Sequence, residues 1–223
     1  MKTIFIDKIV YLPCDTEESE IYQYLVKNKE ELHIKEILRT SDDYYSHLDL
    51  YEKCDIVFTN PPFTGLRKYV KWLEDDLNKK FILFSSWSSF YIWDYFWDKL
   101  LNNEWKVLTG RKFELIDYLT GNNTYAHIPS FVFTNINAIQ EMAINRDTKR
   151  DFTKQKTFEY YTTNSPEYCY IKDDLLYVKN AFYVPNDYYG LISLQVPTYL
   201  TYNDYFDLIR REQKGRVIVK RKK

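Results

Sequence analysis

Short apolar runs alternate with polar, helix-compatible segments over residues 1–85. Lys8–Leu12 (KIVYL) is rich in β-branched and aromatic residues and is closed by Pro13, which predicts a strand. Over 16–30, Ile21, Tyr22, Leu25 and Val26 recur at helical spacing, and Thr16 ahead of acidic residues marks a helix start. His33–Leu38 predicts a second strand, and Asp55–Thr59 (DIVFT) a third, buried one. Gly65–Leu77 predicts a helix through Leu66, Tyr69, Val70 and Leu73, and Lys80–Phe84 (KFILF) another buried strand. This strand–helix rhythm predicts a parallel α/β sheet. Trp87–Leu101 predicts a third, aromatic-rich helix, suited more to a core face than to base stacking. Phe131–Thr134 reads as a strand and 137–157 as a polar surface loop or hinge. Beyond 158, short strand-like runs alternate with Asn, Asp and Pro turns. The pattern divides the chain into an α/β core over 1–135 and a smaller C-terminal α+β region over 136–223.

Composition narrows the chemistry. The chain has 223 residues, enough for one sizeable core with a smaller appendage. Lys and Arg number 31 against 32 Asp and Glu, so a globally basic nucleic-acid binder is excluded while a local basic patch is not. No apolar run approaches the length of a membrane span, and no secretory signal is evident, so a cytoplasmic chain is expected. Cys14, Cys54 and Cys169 are too far apart for a CxxC zinc site. His33, His47 and His127 have no metal spacing, and no metal is expected. Glycine occurs only 5 times, and neither GxGxxG nor GxxxxGK[ST] is present. The 22 Tyr residues offer either stacking surfaces for bases or nothing beyond a compositional bias.

The sharpest signal is Asn60-Pro61-Pro62-Phe63, directly after Asp55–Thr59. Neither proline has an N–H, so a sheet ladder cannot continue through them. Backbone carbonyls and the Asn60 amide oxygen are then available as acceptors beside an aromatic face, at the carboxyl end of a strand. Ligands of open α/β sheets bind at such ends. Several neutral acceptors and a stacking face suit a planar ring with an exocyclic amine. Acceptors that hold the amine's N–H bonds favour a tetrahedral nitrogen and free its lone pair to attack an activated electrophile, for which S-adenosylmethionine is the obvious source. The structural alternative is an ordinary turn leaving a strand.

The string DIVFTNPPFT resembles the catalytic motif of amino-group DNA methyltransferases, and its context resembles the EcoRI-type adenine-specific methyltransferase family. Lys8–Ser19 (KIVYLPCDTEES) is similar to that family's cofactor loop, Asp43-Tyr44 to an Asp-aromatic pair before the catalytic strand, and Asn78–Phe84 to its next strand. Ile128–Asn135 (IPSFVFTN) and Tyr183–Ile209 resemble later segments. Ser85-Ser86 stands where the family tends to have Gly-Asn, and few residues precede the first strand.

The resemblance implies a Rossmann-like class I S-adenosylmethionine-dependent methyltransferase sheet. Asn60, Pro61, Pro62 and Phe63 would hold a flipped adenine. Pro13, Cys14, Asp15, Asp43 and Tyr44 would line the cofactor site. Asp15 has a competing role as a helix cap, Asp43 as part of a surface turn, and Cys14 and Cys54 as small buried hydrophobes. Double-stranded DNA is the implied partner, with no membrane association and a monomer expected. Gln195 in the C-terminal signature is assigned to base edges, and Arg216, Lys220 and Arg221 in the basic chain end to phosphates. The alternatives are a degenerate, non-catalytic methyltransferase-like DNA-binding protein, or a methyltransferase acting on RNA or on protein glutamine.

Overall fold

The structure, a computed structural model, describes residues 2–90, 93–109, 115–116, 123–124, 130–137 and 152–222. His127 and most of the expected 137–157 loop lie outside them. The chain is mixed α/β and folds as two compact units. One comprises Met1–Phe90 and Asn102–Ile144, the other Tyr91–Leu101 and Asn145–Lys223. The division is therefore not a single cut near 135.

The elements of the first unit follow the apolar runs. β1 is Ile9–Leu12, α1 Glu20–Lys27, β2 Glu36–Arg39, α2 Leu48–Lys53 and β3 Ile56–Thr59. α3 (Leu66–Lys71) runs on into a π-helical turn, Trp72–Asp76, and β4 is Lys80–Ser86. The second strand starts later than expected because His33, with φ 53°, turns the chain first. In place of one helix over 87–101 there are two, α4 (Trp87–Phe90) and α5 (Asp94–Leu101). β5 (Lys106–Thr109), a two-stranded ribbon of β6 (Leu115–Ile116) and β7 (Asn123–Thr124), and β8 (Ser130–Thr134) follow.

The sheet order is β2-β1-β3-β4-β8-β5. β2, β1, β3 and β4 are parallel, and β8 runs antiparallel between β4 and β5. β1 is buried on both faces, as a parallel strand covered on each side must be. Val10 and Leu12 join Phe5, Leu25, Ile34, Ile56 and Ile82 in one apolar cluster. Tyr11 points the other way, edge-on to Tyr51, which stands edge-on to Trp72. Thr134 and Asn135 fasten β8 to β4. The Thr134 hydroxyl donates to Phe81 O at 2.6 Å, and Asn135 accepts from Phe81 N and donates to Lys79 O, both at 2.9 Å.

The second unit contains α6 (Phe158–Asn164), β9 (Cys169–Lys172), β10 (Leu175–Val178), β11 (Leu191–Gln195), α7 (Val196–Tyr202), β12 (Phe206–Glu212) and β13 (Arg216–Arg221). Its sheet order is β12-β13-β11-β10-β9, with β10 and β11 parallel and the other pairs antiparallel. α5 belongs to this unit: Arg211 bonds both Asp94 and Asp98. The basic chain end is not a loose tail. Its Val217, Ile218 and Val219 are buried, and β13 is an inner strand.

Candidate active site

β1, β3 and β4 are parallel, so their carboxyl ends share one edge of the sheet. From β1 the chain crosses to β2 on one side, and from β3 to β4 on the other. The order therefore reverses between β1 and β3, which is where open α/β sheets form ligand crevices. The loops leaving these strands are Pro13–Asp15 and Asn60–Gly65.

The two loops are joined through one carboxylate. Asp15 is only 3% exposed. Its Oδ2 accepts the Thr59 hydroxyl and its Oδ1 the Ser19 hydroxyl, both at 2.5 Å. A carboxylate buried at a loop base needs such donors, since unpaired burial of a charge is costly. Asp15 does not cap α1 directly; Ser19 is the N-cap, and its side chain bonds back to Asp15 instead. The Cys14 thiol faces the Thr59 hydroxyl, and burial pushes its pKa up to about 12. Thiols attack as thiolates, so this burial disfavours a nucleophilic role for Cys14.

The loop after β2 is tied in by Thr40. Its hydroxyl donates to Pro13 O at 3.3 Å and shares a 2.7 Å hydrogen bond with the Tyr11 hydroxyl. Arg39 donates to Asp15 O at 3.4 Å and pairs with Glu17 at 3.0 Å. Asp43 is exposed, with one carboxylate oxygen accepting from Tyr45 N at 3.0 Å. The Tyr44 ring packs on Tyr69 with centroids 4.6 Å apart. Burial raises the Tyr44 phenol above its ordinary value, and Cys14 and Asp43 nearby add to the rise. The Tyr44 hydroxyl also borders the Asn60–Gly65 turn, 3.5 Å from where a side chain on Gly65 would begin.

Pro61 is buried and anchors that turn, while Asn60 and Pro62 are exposed. The Asn60 amide has no hydrogen-bond partner, and the Phe63 ring, 47% exposed, has no ring partner, among the described residues. Gly65 closes the turn with φ 77°, a left-handed backbone that glycine adopts freely. At the end of β4, Ser85 and Ser86 are buried, and Arg67 of α3 donates to Ser89 O at 2.7 Å.

The nine first-unit residues singled out from sequence thus lie on three loops at one sheet edge. Thr59, Ser19, Thr40 and Arg39, which hold those loops together, were not among them. Thr59 carried a readable signal, since it is the polar last residue of an otherwise apolar strand.

In the second unit, Gln195 and Arg216 are register partners at one end of the β11–β13 pair. Lys220 and Arg221 lie toward the other end of β13, about 13 and 17 Å beyond Arg216 at a strand's rise of about 3.3 Å per residue. Lys220 is exposed. The Arg221 guanidinium lies over the rings of Phe152 at 5.3 Å and Tyr189 at 5.0 Å.

No family model matches the chain, and no curated protein matches it. Among the described residues no helix is long and apolar enough to cross a membrane, and no group of three His, Cys, Asp or Glu side chains could hold a metal ion.

Proposed function

We propose that this protein is an adenine-specific DNA methyltransferase with a class I, Rossmann-like core. Its substrates would be S-adenosylmethionine and an adenine in double-stranded DNA. The observation that carries the reading is the Asn60–Phe63 turn. It offers an unpartnered amide and a bare aromatic face at the point where strand order reverses. A parallel sheet with one reversed strand, β8, let in beside its edge strand supports the same fold class.

The loops across the switch point fit a nucleoside-bearing methyl donor. Asp43 presents a carboxylate able to accept from a hydroxyl or an amine. Arg39 is paired with Glu17 at 3.0 Å, which offsets its charge beside a sulfonium. Pro13–Asp15, Asp43 and Tyr44 would hold the cofactor, which would supply an electrophilic methyl group by breaking its S–CH3 bond and leave as a neutral thioether. The chain's own work is at the acceptor. Phe63 stacks on the flipped adenine, and the Asn60 amide oxygen and a carbonyl of the Pro-Pro turn accept the N–H bonds of its amine. Those acceptors stabilise the positive charge that grows on nitrogen as it attacks, and the surplus proton leaves to water.

Incubation with tritiated S-adenosylmethionine and mixed genomic DNA, followed by nucleoside analysis, tests this. Label in N6-methyladenine is expected. Label only in RNA or on protein glutamine would move the acceptor, and no transfer to any of the three would support a non-catalytic DNA-binding protein instead.

A further inference from the structure

The second unit carries a groove of about 520 Å³, within the range of about 300–1,000 Å³ usual for ligand sites. Tyr168, Tyr170, Tyr177, Lys179, Gln195 and Arg216 line it, with Asn180 beside them. No carboxylate lines it. We propose that this groove binds unpaired nucleobases of a nucleic-acid strand, with a base stacking on Tyr170, which Tyr177 backs, and the flanking phosphates held by Lys179 and Arg216.

Register builds the stacking platform. Tyr170 on β9 lies opposite Tyr177 on β10, and their rings are stacked with centroids 5.5 Å apart and planes 11° from parallel. Tyr168 and Tyr183 form a second parallel pair at 4.8 Å. Lys179 Nζ sits 5.8 Å from the Tyr168 ring and 5.9 Å from the Tyr170 ring.

Arg216 is held in place by the sheet. Its Nε donates to the Ser193 hydroxyl at 2.8 Å, and Nη2 to Ser193 O at 2.7 Å and Val178 O at 3.1 Å. The Ser193 hydroxyl in turn donates a hydrogen bond to Glu212 at 2.7 Å. The guanidinium lies over the Tyr177 ring, 5.4 Å from its centre, and so holds the ring that backs Tyr170. Gln195 beside it can donate and accept, as a base edge requires.

Aromatic faces interleaved with cations are the general means of holding single strands, because every base has a π-face and every nucleotide a phosphate. A duplex hides its base faces, so the groove selects unpaired bases. An acidic peptide would satisfy Lys179 and Arg216 but leave the ring faces unused. The inference rests on the second unit alone and does not require methyl transfer.

The test is fluorescence anisotropy of the full-length protein with a fluorescein-labelled single-stranded octamer, the same sequence as a blunt duplex, and a labelled acidic peptide. The single strand is expected to bind at least tenfold more tightly than the peptide, and the duplex, which the proposed methyl transfer needs in any case, serves as the control that Tyr170→Ala should leave unchanged. Tyr170→Ala should weaken it about tenfold and Tyr170→Phe should not, since the face and not the hydroxyl is used. Lys179→Gln, at an exposed side chain, should lower the log–log salt slope by about 0.7. Preference for the peptide, wild-type strand binding by Tyr170→Ala, or an equal loss of strand and duplex binding in Tyr170→Ala would overturn the proposal. Asn60→Ala should leave this binding unchanged. Methyl transfer without strand binding would sink this inference alone, and strand binding without methyl transfer would sink the enzymatic reading alone.

Discussion

The Thr59 hydroxyl at the end of β3 donates to Asp15 Oδ2, in the loop after β1, at 2.5 Å. Forty-four residues separate the two in sequence. This one bond fixes the spacing of the two loops that meet where the strand order reverses. Thr59→Val keeps the shape and removes the donor, leaving a buried carboxylate oxygen unsatisfied. An unpaired buried group costs about 1–3 kcal/mol, so the urea midpoint should fall accordingly, and Thr59→Ser should restore most of it.

Asn60→Ala should leave thermal stability unchanged, because the amide has no partner among the described residues. Its effect should fall on methyl transfer, which should drop about 100- to 1000-fold, the usual cost of one lost transition-state contact. Phe63→Ala should behave differently. It removes the surface that captures a flipped base, and a mismatched target, easier to extrude, should recover part of its activity. Initial rates on matched and mismatched duplexes separate the two.

Burial raises the Cys14 thiol from 9.0 to about 12 and the Tyr11 phenol from 10.0 to about 12. A group protonated in the fold but ionised in the unfolded chain contributes stability below its unfolded pKa, and that contribution fades above it. Stability should therefore hold up to about pH 9 and decline from there toward pH 12, as read by urea midpoints. Iodoacetamide labelling of Cys14, followed by mass spectrometry, should not accelerate between pH 7 and 9 as a free thiol's does.

Gly215→Ala should destabilise the second unit. Gly215 has φ 66° in the β12–β13 turn, and an added Cβ would stand 2.6 Å from the indole nitrogen of Trp97, a buried side chain. The backbone penalty alone is about 1–2 kcal/mol. Loss of the Trp97 fluorescence environment on urea titration should come at lower concentration than in wild type.

Removing 220–223 should unfold the second unit rather than trim its charge. Lys220 pairs with Leu191 on one side and Asp207 on the other, within an inner strand. Lys220→Gln keeps that pairing and isolates the charge. If Lys220 meets a phosphate, the substitution should lower the log–log salt slope for duplex binding by about 0.9 with circular dichroism unchanged.

The parallel half of the first sheet was legible in sequence because strands buried on both faces read as continuous apolar runs, as in KIVYL, DIVFT and KFILF. Asn60–Phe63 stood out because two prolines cannot extend a ladder. Less legible were features that exist only after strands pair. Tyr170 meets Tyr177 through a hairpin register, and Gln195 meets Arg216 across twenty-one positions. The Val217–Val219 run read as a strand flanked by cations, but nothing in it says that the strand is an inner one. The helix over 94–101 read correctly as apolar on one face, but local periodicity says nothing of which sheet that face covers.

The placement of α5 means that the chain visits the second unit, returns to the first, and then leaves it again. During synthesis Trp97 emerges more than a hundred residues before Gly215, the turn against which it packs. Until then the nascent chain carries an apolar helix without its sheet, the kind of exposed surface that chaperones bind and that aggregates form around. A fragment ending at 135 would keep that helix and lose its cover for good. Separate halves of this protein are better made by excising 91–101 or by co-expressing the complementary piece than by cutting the chain once.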